Sequence, residues 1–368
     1  MKVLQVITSL YTGGAEKILI DSIPLYIAKG VEMELLLLNG AKTPFFYELE
    51  KKRVTVYSLS KGEIKTVYNS LNIFRIIPYL RKYDIIHVHL FPTLYWVALA
   101  KKFSFNKTKL IFTEHCTYNT RIKKGGIWRI LDKFIYRQYS AIVSVTSDVD
   151  EIIRNHLSEK SNKFRMISNG INISQYVDLS SPSIDEIACK SKIIIIQIAG
   201  FRKQKDQPTL IRALQYLPDN VFLLLVGDGE TRSQCEQLVK DLNLSQRVSF
   251  SGIRTDVPEL LKSSDIAVLS SLYEGLSLSC IEAMALGKPL IASDVPGLRE
   301  IVNGAGLLFP VGDEMILAEK INALITNPEL YKQVSQACSE RSKQYDINVM
   351  VDKYIELYQE LRIMNYEL

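Results

Sequence analysis

The chain has five cysteines, Cys116, Cys189, Cys235, Cys280 and Cys338, an odd number, widely scattered and without a Cys-x-x-Cys pair. That excludes a disulfide framework and a zinc ribbon, and fits a reducing compartment. Continuous apolar stretches are short: residues 193–196 and 221–226 fall far below the ~18 residues that span a bilayer. The start, MKVLQVITSL, lacks a basic n-region, a long apolar core and a small-residue cleavage site, so a first β-strand and a cytoplasmic location are expected. No repeat at a period of roughly 20–50 residues is present, which sets solenoids aside. Strong charge is missing too: a net +5 does not argue for nucleic acid as a partner.

What is present is ordinary globular composition, 47% hydrophobic and 23% charged, in a chain of 368 residues, enough for two domains. Short β-branched runs alternate with longer amphipathic stretches, the pattern of parallel sheets with crossover helices, so the fold class is α/β. In the first half the pattern predicts strands over 3–8, 33–38, 54–59, 84–90, 110–113, 141–146 and 165–168, with helices over 15–29 and 127–139. A polar stretch, 174–191, interrupts the rhythm and is read as the domain junction. Strands over 193–199, 221–227, 248–251, 265–269, 290–293 and 306–309 follow. A closing helix over 348–361 is free to pack back on the first domain. The predicted domains are therefore 1–175 together with 348–368, and 176–347.

Charge is unevenly placed. Residues 101–140, from Lys101 to Ser140, hold ten Lys or Arg and two acids, Glu114 and Asp132, a net +8 that leaves −3 for the rest of the chain. With Phe103, Phe105, Trp128, Phe134 and Tyr136 interleaved, the window reads either as a dock for an anionic membrane or acceptor, or as a solvated helix face.

In open α/β sheets ligands collect beyond the carboxyl ends of strands, so the loops that follow strands carry the chemistry. In the first, TSLYTGGA, Gly13 and Gly14 open a helix whose free N–H groups suit an anion. It does not spell G-x-G-x-x-G, which lowers the case for a nicotinamide enzyme. Three of the four histidines fall at strand ends. His87 and His89 share a strand face, where a metal pair is one reading, and His115 is placed to meet a polar ligand. In AGFRKQKDQP, Arg202, Lys203 and Lys205 crowd a strand end, a reasonable diphosphate site. The strongest signal is LYEGLSLSCIEAMALGKPLIASDVPGLREIV, 272–302. Glu274 lies on the loop before a helix and Glu282 in its first turns, with the N–H groups of 275–279 between them. Ser279-x-x-Glu282 also matches a capping box.

Taken in order, GGAE (13–16), Thr113-x-His115, MISNGIN (166–172), the basic loop, LLLVGDGE (223–230), VSFSGIRTDVPELLKSSDIAVLSS (248–271) and the Glu, seven residues, Glu segment resemble the retaining glycosyltransferases of family 4. The likeness covers essentially the whole chain. It implies the GT-B fold, two Rossmann-like domains facing across a cleft, the second holding a nucleotide-sugar. By that resemblance Glu282 binds the ribose, Glu274 contacts the transferred sugar, and Gly275, Leu276, Ser277 and Leu278 serve the sugar and distal phosphate. Arg202 and Lys205 neutralise the diphosphate, Gly252 and Ile253 line the base, Gly14 lies on the loop that closes over the phosphates, and His115 lies near sugar and acceptor. Departures from the common form are Phe201 after Gly200, which sets Arg202 one place late, Cys116 after the histidine, and Ser279 where proline is frequent. No Asp-x-Asp accompanies the basic loop or the glutamates, so metal-independent transfer without a cofactor is expected. The expected partners are a UDP- or GDP-sugar and a glycan or lipid-linked acceptor of surface polysaccharide synthesis, with peripheral contact to the inner membrane face through the basic window. A sugar-nucleotide epimerase or hydrolase, and a non-catalytic assembly subunit, are the other readings.

Overall fold

Strands buried on both faces need no polar alternation, which is why they read as plain apolar runs. All thirteen predicted strands form in the computed structural model, which describes residues 1–11, 13–116, 120–177 and 193–363, and all pair in parallel. Lys2–Ile7, Ile85–His89, Val221–Val226, Ile266–Leu269 and Leu290–Ser293 are among those buried nearly throughout. The chain divides into two units, Met1–Gly170 with Ile347–Leu368, and Ile171–Asp346.

In the first unit the strands are β1 (Lys2–Ile7), β2 (Glu32–Leu37), β3 (Val56–Ser58), β4 (Ile85–His89), β5 (Lys109–Glu114), β6 (Ala141–Ser144) and β7 (Phe164–Met166). Their order is β3-β2-β1-β4-β5-β6-β7. The second unit holds β8 (Ile193–Ile198), β9 (Val221–Val226), β10 (Val248–Phe250), β11 (Ile266–Leu269), β12 (Leu290–Ser293) and β13 (Leu307–Phe309), in the order β10-β9-β8-β11-β12-β13. Both sheets are doubly wound. The strand order reverses between β1 and β4 in one and between β8 and β11 in the other, the places where such sheets open a crevice for ligands.

The first boundary lies five residues before the expected 175/176, at Gly170/Ile171, because Ile171 and Tyr176 already pack in the second unit's core. Ile171 N–H also donates to the Tyr345 carbonyl at 2.9 Å, so the return crossing comes at Asp346/Ile347 rather than 347/348. Residues 178–191 of the predicted junction, with Cys189, lie outside the described residues. The closing helix, Ile347–Ile363, packs in the first unit, where Tyr358 is fully buried with its ring 5.9 Å from that of Tyr26.

Within the basic window, the helix Ile127–Tyr136 has an unusual orientation. Its inner face carries Asp132, a fully buried acid that accepts from Arg121, from Tyr95 and, at 2.9 Å, from His156 Nε2. Its outer face carries the apolar stripe Ile127, Ile130, Leu131 and Phe134, all exposed, with Ile127 and Ile130 at 69%. An i, i+3, i+4, i+7 stripe is usually the core-facing side of a helix. Here the buried ion pair takes the inside and the stripe faces out.

Candidate active site

The loops after β8 and β11, neighbours at the switch point of the second sheet, bring Lys205 and Glu274 together across 69 positions of sequence. Their side chains form an ion pair, Lys205 Nζ to Glu274 Oε1, and Ser271 Oγ donates to the same carboxylate oxygen at 2.7 Å. Glu274 is 6% exposed, so this charge is oriented and largely dry. A buried carboxylate needs such partners.

The backbone under Lys205 is fixed by residues that carry no motif. Ser270 Oγ donates to the carbonyls of Lys205 (3.1 Å) and Asp206 (2.8 Å), and Gln197 Nε2, the lone polar group inside β8, reaches the Lys205 carbonyl at 3.2 Å. Gln204 ties the two loops directly: its Nε2 donates to Tyr273 O, and its own carbonyl accepts from Leu272 N–H, both at 2.7 Å. A polar residue in an otherwise apolar strand was the only sequence signal for any of these. Arg202 is exposed and its carbonyl closes the short turn by accepting from Lys205 N–H at 2.8 Å.

Neighbouring loops are stitched to these by close backbone approaches. A Cβ on Gly229 would lie 2.4 Å from Phe201 O, and Gly227, whose N–H donates to Gly252 O at 2.8 Å, would meet Ala199 O at 2.2 Å. The row from Gly252 to the basic loop is therefore continuous, with Ile253 exposed beside it. On the other side Gly297, at φ +82°, sits so close that a Cβ would lie 2.0 Å from Gly275 O and 2.5 Å from Glu274 O. Only glycine meets both demands, the positive φ and the contact. Gly297→Ala is expected to push the Glu274–Gly275 backbone away, costing about 1–3 kcal/mol of stability and lowering turnover more than tenfold; urea titration and initial rates check both.

Ser277 is the N-cap of the helix Leu278–Ala285, so Ser279 lies inside the helix and the capping-box reading of Ser279 and Glu282 does not hold. Ser277 Oγ and Ser279 Oγ lie 3.1 Å apart, and Glu282 is half-buried in the second turn. The N–H groups of Leu278 and Ser279 begin the helix just beyond Gly275, where anionic oxygens are favoured.

In the first unit, Gly14 is exposed at the start of the helix Gly14–Ala28, and Glu16 of its first turn folds back so that a Cβ on Gly13 would lie 2.3 Å from its carboxylate. His115 follows β5, with β4 lying between it and the Gly14 loop's strand. The Glu114 carboxylate accepts from the N–H groups of His115 and Cys116, and burial outweighs these bonds to raise its pKa. His87 and His89 do share a face, their ring centroids 4.3 Å apart, but as hydrogen-bonding partners of Tyr358, Thr113, Gln5 and His115. Burial lowers His87 to about 3 and His115 to about 4. Among the described residues no group of three His, Cys, Asp or Glu is arranged to hold a metal. The chain's one Asp-x-Asp, Asp148–Asp150, lies in the first turn of the helix Ser147–Leu157, where Asp150 pairs with Arg154 at 2.6 Å.

Comparison with known proteins follows the same division. The profile of Glycosyl transferases group 1 matches residues 184–341 and that of Glycosyltransferase Family 4 residues 12–175. The chain is 31% identical to the N-acetyl-alpha-D-glucosaminyl L-malate synthase of Bacillus anthracis, over 75% of this chain and 74% of that protein. It is 26% identical to an Escherichia coli UDP-Gal:alpha-D-GlcNAc-diphosphoundecaprenol alpha-1,3-galactosyltransferase, over 80% of each. Among solved structures, Anabaena HepE in complex with UDP and glucose superimposes with a TM-score of 0.85 at 22% identity, covering 98% of this chain and 100% of that one. The two family profiles and these relatives place the chain in glycosyltransferase family 4, as a hexosyltransferase-type enzyme, and its two doubly wound sheets and the HepE superposition give it the GT-B fold.

Proposed function

We propose that the enzyme transfers a sugar from a UDP- or GDP-sugar, with retention, to a glycan or lipid-linked oligosaccharide acceptor in surface polysaccharide synthesis. The observation that carries this reading is the Lys205–Glu274 pair on adjoining loops of the β8/β11 switch point. Breaking the anomeric C–O bond builds charge on the departing diphosphate, and preorganised cations and N–H groups aimed at those oxygens lower the barrier. Lys205, Arg202 and the start of the Leu278–Ala285 helix supply them. Glu274 orients the sugar, Glu282 takes the ribose, and Gly252 and Ile253 the base. The acceptor oxygen bonds to the anomeric carbon on the face the diphosphate leaves, and its proton passes to a departing phosphate oxygen. No protein nucleophile and no divalent metal enters. Support for a lipid-linked acceptor comes from the Escherichia coli relative, whose name specifies a diphosphoundecaprenol substrate.

A panel of UDP- and GDP-sugars with lipid diphosphate acceptors tests this. Donor binding should raise the melting temperature by mass action, and acceptor-dependent release of nucleoside diphosphate should persist in chelator. No binding and no release across the panel would sink the reading.

The exposed stripe of Ile127, Ile130, Leu131 and Phe134, set among Arg129, Lys133 and Arg137, supports peripheral docking on an anionic membrane. Among the described residues no helix is long and apolar enough to cross one. Flotation with vesicles containing anionic lipid should carry the protein at low salt and lose it after Ile130→Glu. Equal flotation of both proteins removes the stripe from the interaction.

A further inference from the structure

Behind the carboxyl ends of β1, β4 and β5 runs a buried line of polar side chains that the donor site does not use. Gln5, His87, His89, Thr113, Tyr354 and Tyr358 are each no more than 3% exposed. Donors and acceptors can be assigned along it from one end. Gln5 Nε2 reaches Tyr358 Oη at 3.2 Å and the Met33 sulfur at 3.5 Å. A thioether sulfur only accepts, so the amide nitrogen, not its oxygen, belongs on that side. Gln5 Oε1 then faces His89 Nε2 at 2.8 Å and accepts its proton. His89 is therefore bare at Nδ1. His115 meets that atom through Nε2 at 3.1 Å, so His115 Nε2 must donate. What is left is His115 Nδ1: unprotonated, buried, and without a hydrogen-bond partner among the described residues.

The reverse assignment fails on two counts. It turns the Gln5 carbonyl toward sulfur, and it leaves a buried N–H orphaned at His115, a rarer and costlier defect than an unused acceptor. The second branch agrees. Tyr358 Oη accepts from Gln5 and donates to His87 Nδ1 at 2.7 Å, and His87 Nε2 donates to Thr113 Oγ1, also at 2.7 Å, which lies 2.9 Å from Tyr354 Oη. The closing helix thus anchors both branches. Burial keeps the His115 ring neutral at ordinary pH, which preserves the Nδ1 lone pair.

We propose that Gln5, acting through His89, is a positioning residue that fixes His115 as its Nε2–H tautomer and presents Nδ1 as an acceptor to a sugar hydroxyl. A hydroxyl can donate there; a phosphate or carboxylate oxygen, which only accepts, is disfavoured. The inference deepens the reading of His115 as a contact near the sugar and rests on it only for the nature of the hydroxyl.

Histidine-selective 15N labelling with long-range 1H–15N correlation reads the tautomer on ligand-free protein at pH 7, the His115 resonances being those lost in His115→Gln. The expected pattern for His115 and His89 is a pyrrole-type Nε2 and a pyridine-type Nδ1. Gln5→Glu keeps an acceptor toward His89 and should keep the pattern. Gln5→Leu removes it and should average the His115 shifts, with kcat/KM for the donor about tenfold lower. A protonated Nδ1 in the wild type, or an unchanged His115 pattern in folded Gln5→Leu, overturns the proposal. If Gln5→Leu does not fold, the wild-type spectrum alone decides. Because no donor is present, this result is independent of whether nucleoside diphosphate is ever released.

Discussion

Lys205→Ala is expected to lower kcat by about two to three orders of magnitude, the scale seen when one preorganised charge-stabilising donor is removed from a transition state. The geometry says why the effect is large. Lys205 is held by an ion pair to Glu274 and by two donors on its own carbonyl, so no reorganisation is needed when diphosphate charge develops. The same arrangement predicts a cost to the fold. Removing the ammonium takes a charge-assisted bond from the Glu274 carboxylate, whose side chain is 7% exposed. About 1–3 kcal/mol of stability should go with it. Rates measured well below the melting transition separate the two effects. Glu274→Gln keeps the Ser271 bond and the volume, so its rate loss, of similar order, should come with less destabilisation. Wild-type kcat in Lys205→Ala would end the assignment of this pair to the reaction.

The second large effect concerns acid. Lowering the pH from 7 to 5 should destabilise the first unit by about 4 kcal/mol through His87 and His115 alone. Burial holds both below their ordinary value, at about 3 and about 4, so in the folded protein they stay neutral at pH 5. Unfolded, with pKa near 6.5, each takes up a proton worth about 2 kcal/mol at pH 5. The unfolded state binds more protons, and stability is therefore complete above about pH 6.5 and falls as the pH drops toward 4. His89, lowered by the same burial, adds in the same direction, while Glu114, raised by burial, opposes it. All four histidines and both tryptophans, Trp96 and Trp128, belong to the first unit. Tryptophan fluorescence during urea unfolding at pH 7 and pH 5 consequently reports the unit in question. Equal midpoints at the two pH values would contradict the buried, neutral state of these rings.

Much of this architecture can be read from the chain because buried parallel strands announce themselves as apolar runs and their loops hold the glycines and charges. Lys205 and Glu274 were each legible from their loops. Their pairing was not, since it depends on β8 and β11 being neighbours, a fact of strand order rather than of local sequence. Gly297 looks like an ordinary turn glycine until its contact with Gly275 is seen. Ser279 and Glu282 have capping-box spacing, yet the helix begins two residues earlier. The stripe from Ile127 to Phe134 has the period of a core face, and only the three partners of buried Asp132 explain why it faces out. His87 and His89 were placed on one face by alternation, but Tyr358, whose hydroxyl bonds His87 Nδ1, and Tyr354, whose hydroxyl bonds the Thr113 that His87 meets, lie more than 260 positions away.

That separation bears on biogenesis. The sheet that holds Gln5 and His87 leaves the ribosome early, whereas the tyrosines that satisfy its polar line emerge only after all of Ile171–Asp346 has been made. At typical elongation rates the wait is on the order of 10–35 s. The later-encoded unit is then free to finish before the earlier one, and nascent chains paused in between carry an uncovered groove along β1 and β4 where chaperones have the most to protect.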